Sequence, residues 1–450
     1  MKHVAVIDIG KTNAKLALVD AEGLREIAVV TRPNVVLRDG PYPHFDLDGH
    51  WQFFLHHLAN FQSAYGVDAI SVTTHGASIV LLDENGDLAT PMLDYEHTGP
   101  DALATEYDAL RPDFAVTGSA RLPMGLNIGA QLHWLLKRDP EMSVRVTHVV
   151  TYPGYWGWRL TGQFSCDVCS LGCHTDLWEP QAARFSSLVE TLGLDGKMAP
   201  PRRPDERLGT LRPDIATITG LPSDTPVTVG IHDSNASLYP HVLGRRAPFS
   251  VISTGTWVVC MAMGAAPDRL DPARDVLVNV NALGAPVPSA RFMGGREFDL
   301  IRSGSRASPT AADRADVLGG GILLLPSVEP ASGPFPDRTA RWTAAPQSEG
   351  ARLVALSHYL ALMTDTCLDL IGANGPVIVE GPFARNADYL DMLAAVRPAG
   401  VEVATSATGT SVGAALLALG ASLPPATSKV AVPPEAARYV LLAQRWRDLA

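Results

Sequence analysis

Two stretches of this chain have the residue types to hold phosphate. Residues 4–19 contain Asp8-Ile9-Gly10-Lys11-Thr12-Asn13-Ala14-Lys15, and residues 249–262 contain Ser253-Thr254-Gly255-Thr256. Each places a glycine among hydroxyl or amide side chains between two short apolar runs, which predicts a β-hairpin. Backbone N–H groups of such a turn converge on one concavity and hold anionic oxygens. One such hairpin is also ordinary turn chemistry. Two of them, about half a chain apart, predict two related lobes gripping one nucleotide between them. The first adds Asp8, an acid placed where a hydrated cation on the phosphates can be held, and the cations Lys11 and Lys15. A third candidate is Gly230-Ile231-His232-Asp233. A carboxylate at the end of a strand can accept a hydroxyl proton as a new bond forms. The same Asp233, ahead of Ser234-Asn235-Ala236-Ser237, would also serve as a helix cap.

The elements that position these residues alternate between sheet and helix. After the first hairpin, Ile27–Val30 reads as a third strand and Trp51–Phe61 as a helix. Ala69–Thr73 reads as a buried strand running into Thr74-His75-Gly76-Ala77-Ser78, and Thr225–Gly230 as another running into Ile231. Past the second hairpin, apolar residues from Leu353 to Leu370 keep a helical period. Pro376–Gly381 and Val401–Val403 read as strands, and a small-residue helix begins near Thr410. This is a mixed α/β pattern rather than a plain βαβ repeat.

At 450 residues the chain is too long for one core. Two domains are expected, residues 1–243 and 244–450. With 46% apolar and 18% charged residues the chain is globular, not disordered. A net charge of −11 gives no basic footprint, so nucleic acid is not an expected partner. No apolar run is long enough to span a bilayer, and no leader of signal-peptide form precedes Val4; a cytoplasmic location is expected. Cys166, Cys169 and Cys173 stand close together beside His174, but no second C-x-x-C completes a closed zinc site. Reduced thiols are the expected reading.

The order of these pieces resembles the FGGY family of carbohydrate kinases, from Val4 to about Leu423. The resemblance implies two actin-like ATPase lobes, of the ribonuclease H-like kind, around a central cleft. It also implies ATP and Mg2+, a small-molecule sugar substrate and, by analogy, a homodimer. Gly10, Lys11, Thr12 and Asn13 resemble the family's first phosphate loop, where Thr or Ser usually stands in place of Lys11. Thr254, Gly255 and Thr256 resemble its second. Gly230-Ile231-His232-Asp233 resembles the catalytic Gly-x-x-Asp, with Asp233 as base and, with Asp8, as metal carboxylate. Gly381, Phe383 and Asn386 lie in a segment like the family's adenosine segment, where Pro382 and Phe383 replace two glycines.

For the sugar, the resemblance points to His75 and Gly76, near the family's usual Gln, and to His232 and Asp233. Leu93-Asp94-Tyr95-Glu96-His97 stands where many members have Trp-x-Asp-x-Arg. Asp94 and Glu96 are therefore expected to bind hydroxyls without that Arg. The departure points away from glycerol kinase and toward the rhamnulokinase and fuculokinase side, hence toward a ketose. Xylulose, ribulose or a sugar alcohol is the alternative within the enzyme class. A sugar- or nucleotide-sensing protein of the same fold is the alternative outside it. Trp156 and Trp158 are read as core rather than as a sugar-stacking wall.

Overall fold

The computed structural model describes residues 1–450 except 267–269, 331, 406–408 and 421–424. The chain forms two compact units. The first takes Met1–Gly244, Val278–Pro286 and Thr408–Pro424; the second takes Arg245–Leu277, Val287–Ala407 and Pro425–Ala450.

In the first unit, β1 (His3–Ile9), β2 (Asn13–Asp20) and β3 (Arg25–Pro33) form an antiparallel meander. Helix α1 (Leu47–Tyr65) follows, started by Asp46, whose carboxylate accepts the Gly49 N–H at 2.8 Å. The chain returns as β4 (Ala69–Thr74), parallel to β1. A helical stretch α2 (Tyr152–Thr161) precedes the remaining strands β5 (Arg207–Thr210), β6 (Pro226–Thr228) and β7 (Ile231–His232), and α3 (Asp233–Gly244) closes the run. The sheet order is β5-β6-β4-β1-β2-β3, with β7 also on β4.

The two-residue period of β1 explains its burial on both faces. Ala5, Ile7 and Ile9 belong to the core that holds Phe54, Leu58 and Trp156, while Val4 and Val6 pack with the helix Thr410–Leu419. Trp156 is fully buried there, as read from the sequence. The strand expected over Thr225–Gly230 is broken. Gly230 turns at φ 95°, and the chain resumes as β7, pairing Ile231 and His232 with Thr73 and Thr74.

In the second unit, β8 (Phe249–Thr254) and β9 (Val258–Met263) form the second hairpin. Then come β10 (Val276–Val280), β11 (Pro286–Phe292), α4 (Gly294–Arg302), the long α5 (Glu349–Leu370), β12 (Val377–Glu380), a 3-10 turn Pro382–Arg385, α6 (Ala387–Val396), β13 (Val401–Ala404) and β14 (Thr427–Lys429). The sheet order is β10-β11-β9-β8-β12-β13-β14. Buried α5 residues such as Leu356, Leu360 and Met363 share one core with Ile252, Phe292 and Val379. Among the described residues no helix is long and apolar enough to cross a membrane.

Candidate active site

Parallel pairing gathers three strand ends in the first unit. Ile9 of β1 lies opposite Thr74 of β4, and Thr74 lies opposite His232 of β7. The residues that follow are Gly10-Lys11, His75-Gly76 and Asp233, so three segments far apart in sequence emerge side by side. Carboxyl ends of parallel strands are where open α/β sheets commonly bind ligands.

The first turn is braced from behind by a residue that carries no motif. The Gly10 N–H bonds to the Asn13 carbonyl at 2.9 Å. Asn34, 6% exposed, donates its side-chain amide to the Gly10 carbonyl and its backbone N–H to the Thr12 carbonyl, each at 2.9 Å. The amide oxygen of Asn34 meets Nε2 of buried His50 at 2.9 Å. Burial, with Arg32 adding to it, lowers His50 to about 4, so its ring is neutral. Thr12 and Asn13 are left exposed at the tip.

Asp8 is buried on the β1 face shared with the helix Thr410–Leu419. It accepts Ser411 Oγ at 2.9 Å and pairs with Lys15 Nζ at 3.0 Å. Burial raises its pKa and the charge of Asp233 adds to the rise; Lys15 and Ser411 oppose it without cancelling it. Lys15 is thereby the partner of Asp8 and, at 3.1 Å, of Glu26. Lys11 turns elsewhere. Its ammonium is paired with Asp94, lies 3.2 Å from Glu96, and sits over the rings of Tyr95 (4.4 Å) and Phe45 (5.0 Å).

His75 is walled in by Phe45, Tyr95 and Tyr152, with ring centroids 5.2, 5.4 and 5.2 Å away. Burial lowers its pKa. Its Nδ1 lies 3.0 Å from the Gly76 carbonyl, to which only an N–H can donate. Nε2 is then a bare acceptor, buried and with no partner. A buried acceptor without a donor is costly unless a ligand supplies one.

Asp233 begins α3 and is half-buried. Its Oδ1 accepts the Ser234 N–H at 2.7 Å and lies 3.1 Å from His232 Nε2. His232 is buried beside Cys173, whose sulfur is 3.3 Å from His174 Nε2. Burial disfavours charge on His232, but Cys173 and then Asp233 outweigh it and push it up to about 10. Burial likewise opposes the Cys173 thiolate, and His174 with His232 overcomes it, pulling the thiol well below its usual range. Cys166 and Cys169 are buried and pushed up by burial. Among the described residues no three His, Cys, Asp or Glu side chains gather as a metal cage.

The second unit holds a cavity of about 880 Å³ lined by Gly255, Thr256, Gly295, Arg296, Phe298, Pro382, Phe383, Arg385 and Asn386 among others. It is of ligand size. The second turn repeats the first, with the Gly255 N–H on the Trp257 carbonyl at 2.9 Å and Thr256 exposed. Thr254 faces away from that tip. Its hydroxyl donates to the Glu380 carbonyl and accepts the Phe383 N–H at 3.1 Å, tying the hairpin to the 3-10 turn. Gly381 makes that tie possible. Its φ is 83°, and an added Cβ would stand 2.0 Å from the Thr254 carbonyl oxygen.

Phe383 packs between Phe298 (6.0 Å) and Tyr389 (5.3 Å), so Pro382 and Phe383 line the cavity instead of filling it. Asn386 caps α6 through the Tyr389 N–H at 3.1 Å and donates to Ser357 Oγ at 3.0 Å. Both ends of its side chain are therefore used within the protein. Arg296 pairs with Glu329 at 2.8 Å. Behind it, buried Glu297 accepts the Glu329 N–H and the Tyr359 hydroxyl, each at 3.0 Å. Burial pushes Glu297 up to about 7.

Comparison with known proteins fixes the family. Residues 3–239 match the N-terminal domain of the FGGY family of carbohydrate kinases, and residues 246–427 match the FGGY carbohydrate kinase C-terminal domain. The chain belongs to the FGGY family of carbohydrate kinases. A carbohydrate kinase structure from Novosphingobium aromaticivorans superposes with a TM-score of 0.92 at 37% identity, covering 99% of each chain. The ligand-bound xylulose kinase of Lactobacillus acidophilus superposes at 0.79 and 16% identity, covering 100% of this chain and 98% of that one. The two units therefore have the actin-like ATPase fold of FGGY kinases. In sequence, the L-fuculokinase of Escherichia coli K12 is 25% identical over 280 residues, 59% of this chain. That match spans 57% of the relative's own length, little more than half.

Proposed function

We propose that this protein transfers the γ-phosphoryl group of ATP to a hydroxyl of a ketose, of the L-fuculose, L-rhamnulose or pentulose kind, with Asp233 as the general base. The observation that carries this reading is the meeting of Asp233 with a buried, donor-hungry His75 at adjoining strand ends. Family membership supports kinase chemistry, and the L-fuculokinase relative supports a ketose. Xylulose, ribulose or a sugar alcohol is the second substrate reading, supported by the xylulose kinase likeness.

In the reaction, the acceptor hydroxyl loses its proton to an Asp233 oxygen as its own oxygen bonds to the γ-phosphorus. The bond from that phosphorus to the bridging oxygen breaks, and ADP leaves. His232, against Asp233, orients the carboxylate. His75 Nε2 accepts one acceptor hydroxyl and Asp94 another. The adenosine end of the nucleotide belongs in the cavity by Phe298, Pro382 and Phe383, and the exposed Thr256 hydroxyl at the tip of the second turn takes a phosphate oxygen. The tip of the first hairpin, Gly10 to Asn13, offers donors of the same kind.

Mg2+ fits the first unit. Asp8 is a buried carboxylate whose ionisation is opposed by burial and by Asp233, and a cation relieves both. Asp8 would hold it through its water shell, leaving Asp233 to the acceptor's proton, and it would offset phosphate charge.

The test is ADP release with Mg-ATP across ketoses, polyols, glycerol and aldonates. Acceptor-dependent turnover with a ketose supports the reading. Nucleotide binding without turnover on any acceptor refutes it in favour of a sensor.

A further inference from the structure

Lys11 stands in the first phosphate-type turn, but its ammonium does not lie at the turn's exposed tip. It lies between Asp94 and Glu96, on the faces of Tyr95 and Phe45. Asp94 is itself fixed, its backbone N–H on the Pro43 carbonyl at 2.9 Å and its Oδ1 on the Glu96 N–H at 3.2 Å. To reach phosphate, Lys11 would have to leave two carboxylates and two ring faces. Asp94 is 5% exposed, so that move would strand a nearly buried charge. The same wall includes His75, since Phe45 and Tyr95 pack on both the imidazole and the ammonium.

We infer that Lys11 serves the acceptor and not the nucleotide. It is the cation that holds Asp94 in place to receive sugar hydroxyls, and the pocket it completes takes a neutral polyhydroxylated acceptor rather than a sugar acid. The inference deepens the kinase reading above and rests on it. Two carboxylates against one ammonium leave an excess of negative charge, which repels an acceptor carboxylate. Asp94 and His75 Nε2 both keep accepting capacity, and both complement hydroxyl donors. Lys11 reaches from the adjoining turn to supply a positive charge to the stretch Leu93–His97, which has no Lys or Arg of its own.

The test is steady-state kinetics of wild type, K11M, K11R and D94N, with the ketose turned over best by wild type and with aldonates of the same chain length. K11M is expected to raise the acceptor KM tenfold or more. Its KM for Mg-ATP should stay within about twofold of wild type. K11R should recover part of the loss. K11M combined with D94N should cost much less than the sum of the two, because they break one interaction. D94N keeps the assay informative if K11M does not fold. A raised Mg-ATP KM with an unchanged acceptor KM in K11M would overturn the inference, as would preference of wild type for aldonates; in either case kinase activity itself would stand. Wild type without turnover on any acceptor would instead defeat the kinase reading, and this inference with it.

Discussion

The two hairpins differ in what surrounds one shared turn. Both close with a glycine N–H on a carbonyl beyond the tip, and both leave a threonine exposed. The first is set in charge: Asp8 below, Lys15 beside it, and Lys11 bound to Asp94 and Glu96. The second has no charged side chain between Phe249 and Met263. Its Thr254 is spent on the backbone at Glu380 and Phe383, which fastens the turn to an apolar-walled cavity. A common turn thus serves two ends. Under the proposed function, the first unit's copy serves proton, metal and acceptor chemistry, and the second's holds the nucleotide.

The largest effect expected from breaking this division is at Asp233. D233N should lower kcat by about 10²–10⁴-fold, with both KM values little changed. Turnover near the wild-type rate would move the base elsewhere. Next is G381A. A left-handed φ together with a Cβ placed 2.0 Å from the Thr254 oxygen should force the 3-10 turn away from the hairpin. The strain is about 1–3 kcal/mol, and it should raise the KM for Mg-ATP while leaving the acceptor KM unchanged.

A third variant sharpens the contrast in how the two turns are held. N34A removes an amide donor from the Gly10 carbonyl, while the backbone bond to Thr12 remains. It should cost about 1–3 kcal/mol in urea unfolding, and G381A should show no such loss of order at the first turn by hydrogen exchange.

The last effect is in pH dependence, where His232 in the first unit and Glu297 in the second are both buried with a raised pKa. For His232, ordinarily 6.5 and here about 10, the stabilising contribution is complete below pH 6.5 and is lost as pH rises through about 10. For Glu297, ordinarily 4.5 and here about 7, it is complete below pH 4.5 and lost as pH rises through about 7. Thermal melts from pH 5 to 10 should therefore respond to E297Q in the lower window and to H232Q in the upper one. The reverse assignment would contradict the electrostatics of both sites.

Much of the fold was legible because it is local. Both hairpins, the strand expected at Ala69–Thr73 and found as Ala69–Thr74, and the helix from Glu349 to Leu370 follow from apolar period and turn residues. The types at Asp8, His75 and Asp233 were legible as chemistry. Their partners were not. Lys11 finds Asp94 across 83 positions, and Thr254 finds Glu380 across 126. Asn34 and His50 carry no motif; only the folded meander shows that they brace Gly10 and Thr12. Cys173 and His174 read as a fragment of a metal pattern, yet His232 is what gives them a setting. In each case a long-range pairing, invisible to periodicity, decides what the residue touches.

The division between the hairpins is tested most directly by calorimetric titration of a non-hydrolysable ATP analogue with Mg2+ into wild type, D233N and G381A. D233N is expected to bind it as tightly as wild type, and G381A at least tenfold more weakly. Normal binding by G381A, or binding lost in D233N, would contradict the assignment of nucleotide holding to the second hairpin and its cavity.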